Sequence, residues 1–389
     1  MKICAIIAEY NPFHLGHLKQ INYVKNSLNA DKIIVVMSGN FSQRGEPTIL
    51  DKFTRAKHAV LAGADLVIEL PSVFASSNAE TFACGAINLI DDLKIVDFIC
   101  FGVESGEKKD YIHLAKELVN ESAEYKKTLK SYLDKGVSLA KAKSQTVKTL
   151  YGEKHEKLLS SPNNILGLEY TKALQKRKSS IEICPMIREG DHNDKTLKKG
   201  ITSASSIREY IKSGKIKPLK KSLPPYTYCD LEVYPFGFEK IIMANIITTT
   251  EESLKKTPDC TEGLENRIKA LVKDNLSVEE LIEKATTKRY PSSRIRRILI
   301  NNLLGITEDL RVDALDKPLY AKVLAVKKES LDLISTLSKS SEIPLLTRKS
   351  DLPTLKKTAK KCFEVDCLAQ ELYNLATDKK INENYMLII

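Results

Sequence analysis

The chain has 389 residues, enough for two to three domains, with 42 % hydrophobic and 29 % charged residues. No uninterrupted apolar run approaches the ~18 residues a membrane-spanning helix needs, so the composition excludes an integral helical membrane protein and a disordered one. The net charge of +11 is uneven: residues 1–100 carry 9 Lys/Arg against 10 Asp/Glu, residues 101–221 carry 26 against 15, and residues 222–389 carry 26 against 25, a local surplus that favours a polyanion partner.

The start, Met1-Lys2-Ile3-Cys4-Ala5-Ile6-Ile7-Ala8, runs into Glu9 and Asn11 and reads as an opening strand, not a signal peptide, so the expected location is cytoplasmic. Apolar runs rich in Ile and Val at 2–8, 33–37, 65–70, 97–102 and 181–187 predict buried strands. Between the first three lie stretches such as Leu18, Ile21, Val24 and Leu28, whose apolar spacing predicts helices. This alternation implies right-handed crossovers and a mostly parallel α/β sheet, covered on both faces, with ligands beyond the carboxyl ends of its strands. Eight dispersed cysteines, none as Cys-x-x-Cys, predict neither a disulfide framework nor a zinc knuckle.

About 78 residues then separate the fourth strand from the fifth. This interval is lysine-rich, as in Tyr125-Lys126-Lys127-Thr128-Leu129-Lys130, and predicts a helical insertion over about 106–180, near the ligand edge of the sheet. A serine-capped helix from Ser203 ends at Gly214, so the first domain is expected to span 1–215. Lys220 to Pro225 reads as a linker, and residues 216–389 as a second, mainly α-helical domain.

Chemistry concentrates in Ala8-Glu9-Tyr10-Asn11-Pro12-Phe13-His14-Leu15-Gly16-His17, directly after the first strand. Two imidazoles and backbone N–H groups at a helix start attract an anion, and imidazolium or N–H donors there suit charge building on an α-phosphate under in-line attack. Gly16 permits close approach of a nucleotide. Alone, His-x-x-His reads first as a helix cap or a packed pair, and only second as two metal ligands. Its place after strand one, and the lack of a third ligand at a metal spacing, favour the phosphate reading.

The motif resembles the His-x-Gly-His signature of the nucleotidyltransferase superfamily, and Ile201-Thr202-Ser203-Ala204-Ser205-Ser206-Ile207-Arg208 resembles its Ile-Ser-Ser-Thr-x-x-Arg signature. Ser38-Gly39-Asn40-Phe41-Ser42-Gln43-Arg44-Gly45-Glu46-Pro47, Gly63 to Pro71, Phe101-Gly102-Val103-Glu104 and Ser161 to Gly167 narrow the likeness to the bacterial tRNA(Met) cytidine acetate ligase family, over most of residues 1–211. The resemblance implies a Rossmann-like parallel sheet and an ATP-dependent ligase. It would make acetyl-adenylate and pyrophosphate from acetate, then N4-acetylcytidine at the wobble position of elongator tRNA(Met). It further implies His14, His17, Ser205 and Arg208 as catalytic residues, with Ser205 and Arg208 on the β- and γ-phosphates. The ATP pocket it implies comprises Ile7, Ala8, Glu9, Tyr10, Asn11, Pro12, Phe13, His14, Leu15, Gly16, His17, Leu18, Lys19 and Gln20, completed by Gly102, Asn164 and Arg188. At those last three, absence of a side chain would admit adenine or ribose, an amide would bind ribose or base, and a guanidinium would bind phosphate. Mg²⁺ is expected with ATP, on phosphate oxygens and water, with no dedicated protein ligands.

Arg44 and Asp65 are the groups that could position acetate or the cytidine amine, Arg44 alternatively pairing with Glu46, and neither is assigned that role. RNA contacts are expected from the insertion, or from Lys284, Lys288, Arg289, Arg294, Arg296 and Arg297, six cations over fourteen residues with no acid between them and Tyr290 in their midst. Two other readings stay open at this point. A small-molecule adenylyltransferase would use the same phosphate chemistry without needing the insertion, and a non-catalytic RNA-binding protein would keep only a vestigial nucleotide site.

Overall fold

A computed structural model describes residues 1–188, 203–231, 235, 237–274, 276–317, 319–383 and 386–389. The five expected strands form at β1 (Ile3–Ala8), β2 (Lys32–Ser38), β3 (Leu66–Leu70), β4 (Phe98–Val103) and β5 (Glu182–Ile187). They run parallel in the order β5-β4-β1-β2-β3. Between β1 and β4 the winding reverses, which makes their carboxyl ends the natural ligand crevice. The register opens that crevice: β1 pairs with β2 along its whole length, Ile3 to Ala8, but with β4 only through Cys4↔Phe98 and Ala5↔Ile99. Gln20 takes up a released ladder group, its Nε2 donating to the Cys100 carbonyl at 3.1 Å.

The insertion lies between β4 and β5 and is helical, including Lys108–Asn120, Ala123–Leu133, Leu139–Tyr151 and Pro162–Arg177. The last of these packs on β4 and on the helix Ala79–Asp92, so it borders the crevice.

The sheet does not end near residue 215. β6 (Ala321–Val326) adds antiparallel to β3, and β7 (Leu345–Leu346) and β8 (Leu387–Ile388) both pair with β6. The sequence led to a mainly α-helical second half with no strand placed here, since Ala321, Leu324 and Ala325 favour helix and only Val323 and Val326 are β-branched. The rest of this half is largely helical, with Gly237–Thr248, Ser292–Leu303 and Lys357–Thr377 among its helices. One hydrophobic core joins Ile34, Ile68 and Phe82 to Phe238, Ile298 and Tyr373. The expected linker is packed too: Leu219 and Leu223 are buried with Ile207 and Ile211, and the Ser222 carbonyl accepts from Leu15 N–H at 3.2 Å.

Where β3 meets β6 the core encloses charges. Glu69 accepts from Lys52 at 2.7 and 2.9 Å and faces Lys322 at 3.3 Å, while Glu383 binds Lys52 at 2.6 Å and also Lys322. Burial pushes the Glu69 carboxyl up, but the two ammonium groups outweigh it and hold it below the usual range. Burial and Lys52 bring the Lys322 ammonium down to about 7. Asp366, pushed up to about 6 by burial and by Glu69, accepts from Ser72 N–H at 2.8 Å and from the Tyr320 hydroxyl. All eight cysteines are free thiols, and no helix among the described residues is long and apolar enough to cross a membrane.

Candidate active site

After β1 the chain turns through Glu9 to Phe13 into the helix Leu15–Asn26. Tyr10 holds a φ of +48°, a conformation that costs an aromatic residue and that collects at functional turns. Buried Arg55 supports the turn from beneath, donating to the carbonyls of Glu9 at 2.6 Å, Ser38 at 3.1 Å, Leu50 at 2.9 Å and also Gly39. Asn11 Oδ1 accepts from Ile49 N–H at 2.9 Å and its Nδ2 is buried without a partner among the described residues.

At the helix start His14 Nδ1 accepts from Gly16 N–H at 3.0 Å, and His17 Nδ1 accepts from His14 N–H at 3.2 Å. The two rings stack with centroids 3.6 Å apart and planes 18° from parallel. A ring nitrogen that accepts from an amide carries no proton, so each neutral ring keeps its proton on Nε2. Burial first, then Arg188 and Arg208, holds His14 down to about 3, and burial, His14 and Arg188 hold His17 well below the usual value. Of the two donor forms expected, imidazolium or N–H, the fold selects the neutral ring. Capping and ligand binding are therefore compatible: Nδ1 caps the helix, and Nε2–H is left for a ligand. The backbone differs from expectation. The N–H groups of Leu15, Gly16, His17 and Leu18 are all engaged, by Ser222, by the His14 ring and, for the last two, by the His14 carbonyl.

The helix Ala204–Lys212 supplies the second part of the site. Ser203 caps it, accepting from Ser206 N–H at 3.2 Å, whereas Ile201 and Thr202 lie outside the described residues. Arg208 Nη1 donates to the Asn11 carbonyl at 3.0 Å and so joins the two motifs. Ser205 Oγ accepts from Arg208 Nη2 and from Arg44 Nη1, both at 3.3 Å.

A cavity of about 230 Å³ gathers these groups. Ile7, Ala8, Glu9, Tyr10, Asn11, His14, Gly16, His17, Lys19 and Gln20 line it, together with Gly102, Arg188, Ser205 and Arg208. Pro12, Phe13, Leu15 and Leu18 do not, and Phe13 is fully buried in the core beside Tyr10. Asn164 is also off the wall. Its Oδ1 accepts from the N–H groups of Glu104 at 2.8 Å and Ser105 at 3.3 Å, and its Nδ2 donates to Ser105 Oγ at 2.9 Å and the Lys157 carbonyl at 3.1 Å. With that capacity spent on the loop after β4 and on the Lys157 carbonyl, Asn164 does not line the cavity, whereas its neighbour Asn163 does. At Gly102 an added methyl would meet Cγ and Cδ of Arg188 at 2.9 Å, so the missing side chain makes room for Arg188 rather than directly for a ligand. Arg188 follows β5 and is held below its usual value by burial.

Residues 1–386 match the family model described as HIGH Nucleotidyl Transferase. The proteins named tRNA(Met) cytidine acetate ligase from Acetivibrio thermocellus and from Thermoanaerobacter sp. (strain X514) are similar to the chain. The first is 40 % identical over 392 residues, covering 96 % of this chain and 94 % of the relative, and the second 41 % over 389, covering 97 % and 96 %. The chain belongs to the tRNA(Met) cytidine acetate ligase family. Crystal structures of Thermotoga maritima TmcAL, one apo and one bound with alpha-thio ATP, match the whole chain with TM-scores of 0.93 and 0.91 at 27 % identity.

In this member of the ligase family the expected polyanion contacts divide in two. The run from 284 to 297 lacks acids in sequence, but the fold brings them to it. Arg289 pairs with Glu262, Arg294 donates to the Asp259 carbonyl at 2.9 Å, Arg296 donates to Glu279 at 2.9 Å, and Arg297, only 8 % exposed, faces Asp259 at 3.6 Å. Arg297 is thus an internal cation; Lys284, Lys288 and Arg289 remain exposed. On the insertion, Lys126, Lys127, Lys130 and Lys141 are all exposed.

Proposed function

We propose that this enzyme binds ATP in the β1/β4 crevice, forms acetyl-adenylate from acetate, and acetylates N4 of the wobble cytidine of elongator tRNA(Met) to give N4-acetylcytidine. The observation that carries the reading is the convergence of two neutral Nε2–H imidazoles with Ser205 and Arg208 in one cavity. Family membership and the alpha-thio ATP bound by the Thermotoga maritima relative support it.

An acetate oxygen attacks the α-phosphorus, forming one P–O bond as the bond to the β-phosphate oxygen breaks and pyrophosphate leaves. The histidine Nε2–H groups donate to the α-phosphate oxygens as charge gathers there, and Ser205 and Arg208 hold the departing phosphates. Arg188, beside Gly102, contacts the nucleotide from the β4–β5 side. The cytidine amine then attacks the acetyl carbonyl, the C–O bond to AMP breaks, and the amine proton passes to solvent. An acyl-adenylate is activated enough that no general base is required. Glu9 is the one carboxylate lining the cavity among the described residues, and its Oε1 is held by Gln43 N–H at 2.7 Å, so Mg²⁺ arriving with ATP would rest on phosphate oxygens and water. The tRNA backbone would meet the exposed lysines of the insertion, with Lys288 and Arg289 as a second contact.

Incubating the protein with ATP, labelled acetate and tRNA, then analysing nucleosides by mass, tests the proposal. The expected result is acetate-dependent pyrophosphate release and acetylated cytidine in tRNA(Met). A new adenylylated small molecule without tRNA would instead favour a cofactor adenylyltransferase.

A further inference from the structure

We infer that Arg44 is a phosphate-binding residue, gripping the β- and γ-phosphates of ATP together with Ser205 and Arg208; this rests on the nucleotide reading above. Arg44 borders the cavity, and its Nη1 shares the Ser205 hydroxyl with Arg208 Nη2, each at 3.3 Å. Two guanidinium groups thus converge on one neutral acceptor. Both lone pairs of that oxygen are taken, which turns its own O–H outward as a third donor. Like charges at such a point repel, and a bound anion relieves the repulsion.

Glu46, the partner that chain proximity suggests for Arg44, is drawn elsewhere. It faces Arg208 at 3.7 Å and Arg296 at 3.8 Å, and among the described residues no carboxylate lies within ion-pair distance of Arg44. Arg44 also sits on a firm support. The hairpin around it closes through the Phe41↔Pro47 bridge, Ser42 N–H to the Glu46 carbonyl at 2.9 Å, and Gly45 N–H to the Ser42 carbonyl at 2.9 Å. Gly45, at φ +73°, packs so closely on the backbone of Arg296 and Arg297 that a methyl would overlap it. A half-buried cation held rigidly at a cavity wall, without a protein anion opposite, is organised in advance for a polyanionic ligand.

The test uses the full chain and measures the affinities of wild type, Arg44→Gln and Arg44→Lys for ATP, AMP and inorganic pyrophosphate by calorimetry. Loss of charge-assisted bonds should weaken ATP and pyrophosphate about ten- to a hundredfold in Arg44→Gln, with AMP within about twofold of wild type. Unchanged pyrophosphate affinity or an equal loss for AMP overturns the inference. Arg44→Lys keeps the charge and loses the fork, so its pyrophosphate affinity should fall between those of wild type and Arg44→Gln; if Arg44→Gln does not fold, a pyrophosphate affinity of Arg44→Lys equal to that of wild type overturns the inference. A wild type that binds neither ATP nor pyrophosphate would sink the nucleotide reading itself, whereas wild-type binding matched by the variants sinks only the role of Arg44.

Discussion

Because His14 and His17 are neutral, replacing either removes a hydrogen-bond donor and a helix cap, but no charge. His14→Ala and His17→Ala should therefore slow adenylate formation by about a hundredfold or more while weakening ATP binding far less, which single-turnover pyrophosphate release and equilibrium binding can separate. The same burial has a pH signature. An unfolded His14 titrates near 6.5 and the folded one near 3, so below pH 6.5 the unfolded chain binds a proton that the folded chain does not, and stability falls as pH drops through that window. His14→Gln should accordingly lose less stability than wild type between pH 7 and pH 5, by up to about 1.4 kcal/mol per pH unit below 6.5, in urea midpoints read at both values. Gly102→Ala should fold normally and displace Arg188, whose stem is flexible. Its effect on ATP affinity should match that of Arg188→Ala, and the double variant should be no worse than either alone. The His motif and the Ser205/Arg208 helix were legible because their spacing along the chain is itself the signal. The roles of Asn164, Gly102 and Arg55 were not, since each depends on which groups the fold sets beside it: loop amides, an arginine stem, and carbonyls from four separate positions.

The five parallel strands and the capped helix at Ser203 were readable from short periodic stretches, because burial on both faces demands continuous apolar runs. β6 was not readable, since its environment comes from β3, more than two hundred positions earlier, rather than from its own composition. The hairpin at 41–47 shows the same long reach. It connects the cavity, through Arg44, to the helix Ser292–Leu303, through Gly45 and Glu46. Gly45→Ala combines a disfavoured φ with a backbone clash and should cost about 2 kcal/mol or more of stability, with ATP affinity reduced along with it. Further out, the insertion pairs several of its lysines with acids but exposes Lys126, Lys127 and Lys130, while the 284–297 run spends most of its arginines on acids. Replacing Lys126, Lys127 and Lys130 by Gln should leave acetate-dependent ATP turnover intact and flatten the salt dependence of tRNA binding. The same change in Arg294 and Arg297 should chiefly lower stability.

Across the whole molecule the two halves share one hydrophobic core and a cluster of buried charge, and are not merely tethered by a linker. Lys52 and Glu69 come from the first half, Lys322 and Glu383 from the second, and removing one leaves the others short of compensation. Lys322→Met should therefore destabilise the protein by about 3 kcal/mol or more, seen as a lower urea midpoint in a single transition. The net charge of +11 gave no hint of this arrangement, because such pairs cancel in a sum while fixing how the chain closes. The order of synthesis gives the arrangement another meaning. β3 leaves the ribosome long before β6 does, and until residues 322 to 326 follow, it is an open sheet edge able to pair with another chain. Glu69 stands within that edge, and an inward-pointing carboxylate is among the devices that discourage edge-to-edge pairing. The carboxylate that the finished sheet pairs with Lys52 and Lys322 is therefore one that the edge, before β6 arrives, carries without Lys322.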